Sequence, residues 1–151
     1  MKIYLAGPCD SENRTVMVNI AKFLTEELKY QVYCPFNLKI ENAWDYCQEE
    51  WAKKVFDADI NAINDSDAVI MISLGRISSA GTNWEQGYAY ACEIPVYVVQ
   101  ITDDPTSLMT YWGCKGFINC NKENIEQALI NIDDYLGWDI PMHSKCKTVL
   151  T

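Results

Sequence analysis

The chain is short of positive charge. Twelve Lys and Arg face 21 Asp and Glu, leaving a net charge of −9 over 151 residues. Phosphate polymers and anionic membrane surfaces are held by clusters of Lys and Arg, so neither a nucleic-acid polymer nor a membrane is expected as a partner. Histidine is scarcer still, since His143 is the only one. It lies in a polar carboxyl-terminal stretch, His143–Thr151, that reads as a loose tail. A Ser-His-Asp triad or a His-based zinc centre would have to be built from that tail, so no metal site is expected. No segment approaches the run of about 18 apolar residues that a membrane-spanning helix needs. The opening Met1–Gly7 turns polar by Asp10, before a signal-peptide core could form. There is no G-x-x-x-x-G-K-[ST] loop for a nucleoside triphosphate and no Ser/Thr/Gly run of the flavin-phosphate kind. No cofactor is therefore expected. The seven cysteines are odd in number and form no C-x-x-C pair. They read as free thiols in a reducing, cytoplasmic setting rather than as a disulfide framework.

The rest of the composition is that of an ordinary globular protein, with 49% apolar and 22% charged residues. The length suits one domain over residues 1–151. Strand-like and helix-like runs alternate along it. Lys2–Ala6, Gln31–Cys34, Asp67–Ser73, Pro95–Ile101 and Gly116–Cys120 read as strands. The third and fourth are continuous apolar runs, as in strands buried on two faces. Between them, Asn13–Leu28, Ala43–Asn64 (with a possible break), Thr82–Cys92 and Lys122–Trp138 carry apolar residues at helical spacing. Asn13 stands where the first helix would be capped. Each parallel crossover needs a helix and is right-handed. The expected fold is thus an α/β, flavodoxin-like, five-stranded parallel sheet of order 2-1-3-4-5 with helices on both faces. Ligands bind such sheets beyond the carboxyl ends of the strands, here after Ala6, Ser73 and Ile101.

Three segments could carry chemistry. In Ile3-Tyr4-Leu5-Ala6-Gly7-Pro8, Gly7 and Pro8 end the strand and let backbone approach a ligand. Tyr4 is either a packing residue or a phenol that hydrogen-bonds a carboxylate. In Phe56–Asp67 four carboxylates fall close together. Asp57 and Asp59 cannot share a helix face; Asp59 is either a polar group at the helix end or a pocket residue, and Asp67 reads as a turn residue. In Gly75–Ala91 a small-residue loop leads into a helix that Gly81 or Thr82 would start. Glu85 then falls in the first turn, where the helix dipole would keep a carboxylate ionised and nucleophilic. Its simpler role is the acid of a T-x-x-E capping box with Thr82.

Together these stretches resemble one family. The I-Y-L-A-G-P start, D-I-x-x-I-x-x-S-D at Asp59–Asp67 and G-T-x-W-E-x-G-Y-A at Gly81–Ala89 are similar to the nucleoside 2-deoxyribosyltransferases. Ser107-Leu108-Met109-Thr110-Tyr111-Trp112-Gly113 resembles that family's carboxyl-terminal N-L-M-x-W-G segment, with Ser107 in place of the asparagine. The resemblance implies a catalytic set of Glu85, Asp59 and Tyr4. Glu85 would attack C1′ of a 2′-deoxynucleoside, Tyr4 would hold it, and Asp59 would assist proton handling or orient the sugar. Gly7, Ser79, Gly81, Ser107 and Met109 would contact substrate. Ser107–Met109 would reach a neighbouring subunit's site, making the enzyme a homo-oligomer with shared active sites. The implied partners are small nucleosides and nucleobases.

One position departs from the pattern. Six residues before the nucleophile the transferases usually carry an aspartate, and here stands Ser79. A serine there resembles the related nucleoside 5′-monophosphate N-glycosidases, in which the loop grips a phosphate, and Arg76 and Ser78 could join such a grip. Against it, Asp10 and Glu12 stand where those hydrolases use basic residues. The reading is therefore a transferase. A nucleoside monophosphate hydrolase with the same nucleophile is the alternative, and a non-catalytic nucleotide-binding module a second one.

Overall fold

The computed structural model describes residues 1–136, 142–145 and 148–149. In chain order the elements are β1 (Lys2–Ala6), α1 (Arg14–Glu26), β2 (Gln31–Tyr33), α2 (Gln48–Asn64), β3 (Ala68–Ser73), α3 (Ala80–Ala91) and β4 (Val96–Gln100). There follow β5 (Thr106–Ser107), α4 (Leu108–Trp112), β6 (Gly116–Asn119), α5 (Ile125–Tyr135), β7 (Met142–His143) and β8 (Thr148–Val149). The main sheet runs β2-β1-β3-β4-β6-β7 with every pair parallel. The five expected strands are present in the expected flavodoxin-like order, and β7 adds a sixth. A separate two-stranded sheet joins β5 to β8.

Alternation along the strands sorts their side chains into two layers. Ile3, Leu5, Ile70, Ile72 and Val99 pack with Met17, Ile20 and Leu24 of α1 and with Ile125, Leu129 and Ile132 of α5. Tyr4, Ala6, Val69, Met71, Val98 and Phe117 pack on the opposite face with Ile63 of α2 and Ala89 of α3. All six residues of β3 are buried, which is why its sequence shows no alternation. Among the described residues no helix is long and apolar enough to cross a membrane.

Several boundaries differ from the sequence reading. The long second helix does break: a 3-10 turn at Ala43–Asp45 precedes α2, and α2 is closed by the Cys47 N–H donating to Glu50 Oε2 at 3.1 Å. Asn13 holds the cap position of α1 without capping it; its own N–H and side-chain amide donate to Asp10. Asp67 is a turn residue, accepting the Lys2 N–H at 2.7 Å. The stretch read as a loose tail supplies β7 and β8. The Tyr111 carbonyl accepts from His143 Nε2 at 2.9 Å, and Ser144 Oγ from the Asn119 N–H at 2.7 Å. Two-residue strands have no periodicity to read, so an unpaired edge on β6 is the only cue that something covers it. Trp138, the expected end of the last helix, lies outside the described residues, as does Cys146.

Candidate active site

The site lies where β1, β3 and their following loops meet α2 and α3. Gly7 ends β1 under tight constraint: a Cβ there would stand 2.7 Å from Met17 Sδ and 3.3 Å from Ile72 Cβ. Its carbonyl accepts from Thr82 Oγ1 at 3.1 Å, tying the end of β1 to the start of α3. That start is set by Ser79, whose Oγ accepts the Thr82 N–H at 3.1 Å and lies 2.7 Å from Thr82 Oγ1. Ser79 is thus the N-cap and α3 begins at Ala80, two residues before Thr82. The expected Thr82–Glu85 capping box does not form, and Glu85 falls in the second turn, past the reach of the helix-end charge.

Glu85 is instead governed by burial. Tyr4, fully buried in β1, donates its phenol to Glu85 Oε1 at 2.9 Å. Burial pushes the Glu85 carboxyl up to about 7, with the negative charge of Asp59 adding and the Tyr4 hydrogen bond opposing. The carboxylate is therefore not held ionised by the helix, as the sequence reading expected, but titrates near neutrality. Asp59, half-buried on α2, accepts from Tyr33 Oη at 2.9 Å. Burial raises its carboxyl too, against that hydrogen bond. Burial also pushes the Cys9 thiol up, with the Glu85 charge behind it, so Cys9 is a thiol at neutral pH rather than a reactive thiolate.

A cavity of about 580 Å³ opens beside the two carboxylates, lined by Trp51, Val55, Phe56, Asp59, Gly81, Trp84 and Glu85 among others. Phe56 and Trp84 are 5.4 Å apart, and Trp84 stacks on Tyr88 at 5.4 Å. The volume suits a small ligand held among aromatic walls. Among the described residues no Lys or Arg lines it.

Of the residues expected from sequence, Tyr4, Asp59, Gly81 and Glu85 come together here. Gly7 and Ser79 form the support beneath them. Ser107 and Met109 do not line this cavity. Ser107 caps α4 by accepting the Met109 N–H at 3.1 Å, and α4 is held to the far flank of α3 by Gln86, whose Nε2 donates to the Thr110 and Gly113 carbonyls at 2.9 Å each. Met109 is 81% exposed. Arg76 does not reach the cavity either: its guanidinium pairs with Asp104 at 3.2 Å. Ser78 Oγ accepts the Leu74 N–H at 2.8 Å. Sequence reasoning missed Tyr33. Among the tryptophans, Trp51 and Trp84 are walls of the cavity, while Trp44 is 99% exposed.

A parallel α/β sheet that presents two raised carboxyl groups to an apolar cavity at its carboxyl edge is suited to a reaction at a glycosidic carbon. A sequence model of the nucleoside 2-deoxyribosyltransferase family matches residues 3–137, and the chain belongs to that family. It is accordingly a glycosyl-transferring or N-glycosidase enzyme acting on nucleosides or nucleotides. Among solved structures it is similar to a 2-deoxyribosyltransferase from Bacillus psychrosaccharolyticus, with a TM-score of 0.68 and 26% identity over 83% of this chain and 90% of that one. It is similar in fold to a CMP N-glycosidase from Clostridium botulinum, with a TM-score of 0.62 and 20% identity over 87% and 99% of the two chains. A conserved protein from Enterococcus faecalis V583 shares the fold at a TM-score of 0.51 and 24% identity, over 95% and 80%. No curated protein sequence matches the chain.

Proposed function

We propose that the protein is a nucleoside 2′-deoxyribosyltransferase with Glu85 as nucleophile. The ionised Glu85 carboxylate attacks C1′ of a bound 2′-deoxynucleoside. The C1′–N bond breaks, its electron pair leaves with the base, and the base takes up a proton with help from Asp59. A deoxyribosyl ester on Glu85 results. A second base then attacks C1′ and gives up its N–H proton to Asp59, the ester bond breaks, and the Glu85 carboxylate is regenerated; two displacements retain the β configuration. The observation that carries this reading is the Tyr4 phenol fixed on Glu85 at 2.9 Å, beside Asp59, at the edge of an aromatic cavity.

The same cavity supports a neutral nucleoside over a phosphorylated one. Among the described residues no cationic side chain lines it. The groups that could have gripped a phosphate are already engaged: Arg76 by Asp104, Ser78 by the Leu74 N–H and Ser79 by Thr82. The exposed Leu108, Met109 and Trp112 on α4 support the homo-oligomer in which residues 107–109 complete a neighbouring copy's site. A cytoplasmic enzyme fits the free thiols of Cys9, Cys34, Cys47, Cys92 and Cys120.

The test is to incubate the protein with thymidine and adenine, and separately with a panel of nucleoside 5′-monophosphates. Formation of deoxyadenosine without any phosphate requirement is expected. Release of free base from monophosphates alone overturns the transferase reading in favour of an N-glycosidase.

A further inference from the structure

The two carboxylates of the site are held in matching ways. β1 and β2 are parallel neighbours, and their register sets Tyr4 opposite Tyr33. The rings stack with centroids 5.5 Å apart and planes 18° from parallel. Tyr4 donates to Glu85 Oε1 on α3 and Tyr33 donates to Asp59 Oδ1 on α2, each at 2.9 Å. Two adjacent strands thus pin one carboxylate from each of two helices. Among the described residues, Asp59 Oδ2 and Glu85 Oε2 take no hydrogen bond from the protein, and both residues line the cavity. One oxygen of each carboxylate is anchored and the other is left for substrate.

We infer that Tyr33 is a positioning residue of the reaction: it fixes Asp59 beside Glu85 as Tyr4 fixes Glu85, so that the stacked tyrosines set the placement of the two carboxylates. This rests on the reading of Glu85 and Asp59 given above and names a residue outside it. Like charges brought together repel, and without an anchor the half-buried Asp59 would swing away from Glu85 toward water. A phenol donor opposes that by stabilising the ionised, inward-facing rotamer. The charges of Asp59 and Glu85 bear in turn on the phenols of Tyr4 and Tyr33 and the thiols of Cys9 and Cys34. Burial raises both phenols and both thiols, so none of the four competes as an anion at neutral pH.

The experiment compares Tyr33→Phe, Asp59→Asn and the double variant in the base-exchange assay, with 13C NMR titration of the Asp59 carboxyl. Phe keeps the ring stack and removes only the donor. A hydrogen bond to a charged group is worth about 1.5–3 kcal/mol, so kcat should fall roughly 10- to 150-fold in Tyr33→Phe, with KM within about twofold. Because Tyr33 acts through Asp59, the double variant should be no slower than Asp59→Asn alone. The Asp59 titration should move to higher pH, since the lost bond favoured the ionised form. Wild-type kcat with an unmoved titration, a loss confined to thermal stability, or multiplicative losses in the double variant would each overturn the inference. If the wild-type protein exchanges no bases, the transferase reading fails instead, and the titration alone decides whether Tyr33 anchors Asp59.

Discussion

Glu85→Gln separates the cost of the site from its use. An ordinary glutamate titrates near 4.5, and burial carries Glu85 to about 7 in the folded protein. The folded state therefore binds this proton more tightly than the unfolded chain does. Its contribution to stability is complete below about pH 4.5, falls as the pH rises, and is lost above 7. The full difference between those two values corresponds to roughly 3 kcal/mol, and solvent at the cavity mouth reduces it to about 2 kcal/mol. Glutamine is neutral at every pH and keeps an Oε1 that can accept from Tyr4, so the variant escapes the cost without losing that hydrogen bond. Glu85→Gln should thus melt close to the wild type at pH 5. At pH 8.5 it should melt about 4–8 °C higher, taking the 2–4 °C per kcal/mol usual for a domain of this size. Base exchange should be abolished at both pH values. Thermal melts of the two proteins at pH 5 and pH 8.5 decide it. An equal difference at both pH values would refute the claim that Glu85 is a desolvated carboxyl.

The remaining predictions follow from single observations. If ionised Glu85 is the attacking group, kcat/KM for base exchange should rise about tenfold per pH unit below 7 and level off above it, and Asp59→Asn should move the break to lower pH by removing a negative neighbour. A profile flat from pH 5 to 9 rules that out. Gly75 sits at φ +71°, and a Cβ there would stand 2.8 Å from the Asp104 carbonyl oxygen, so Gly75→Ala should cost at least about 1–2 kcal/mol in denaturant unfolding. Thr106 is fully buried with its hydroxyl unpartnered among the described residues. Thr106→Val should leave stability unchanged or raise it by about 1 kcal/mol, and a loss would show that the hydroxyl has found a partner.

The sheet was legible where burial on two faces writes itself as a continuous apolar run. β3 and β4 are buried throughout, and their order follows from the crossover rule rather than from any residue. β5, β7 and β8 have two residues each. Their existence depends on which edge they find, and that is a tertiary fact. The start of α3 shows a local conflict instead. Ser79 and Thr82 are both good caps, three residues apart, and Thr82 is further marked by the glutamate three residues on. Ser79 prevails because its Oγ takes the Thr82 N–H while the Thr82 hydroxyl is spent on Gly7. The outcome moves Glu85 by most of a turn, and with that its electrostatics change sign: from a carboxylate kept ionised by a helix end to one pushed up by burial.

The residues around Glu85 were legible to different degrees for the same reason. Tyr4, Asp59 and Glu85 lie in stretches that match a family pattern, so their convergence could be anticipated without knowing the geometry. Tyr33 has no such pattern. It sits in a three-residue strand before a proline, and only the β1–β2 register sets it against Tyr4. A slip of one residue would turn it to the opposite face of the sheet. Arg76 is the converse case. In sequence it stands in the loop before the helix, where a phosphate would bind, and its carboxylate partner is Asp104, in the loop that follows β4. With that pair made, the preference for a neutral substrate does not rest on the net charge of −9, whose long-range effect salt screens within about 10 Å. It leans on the cavity itself, where a dianion would meet two carboxylates and aromatic walls with, among the described residues, no cation to offset its desolvation.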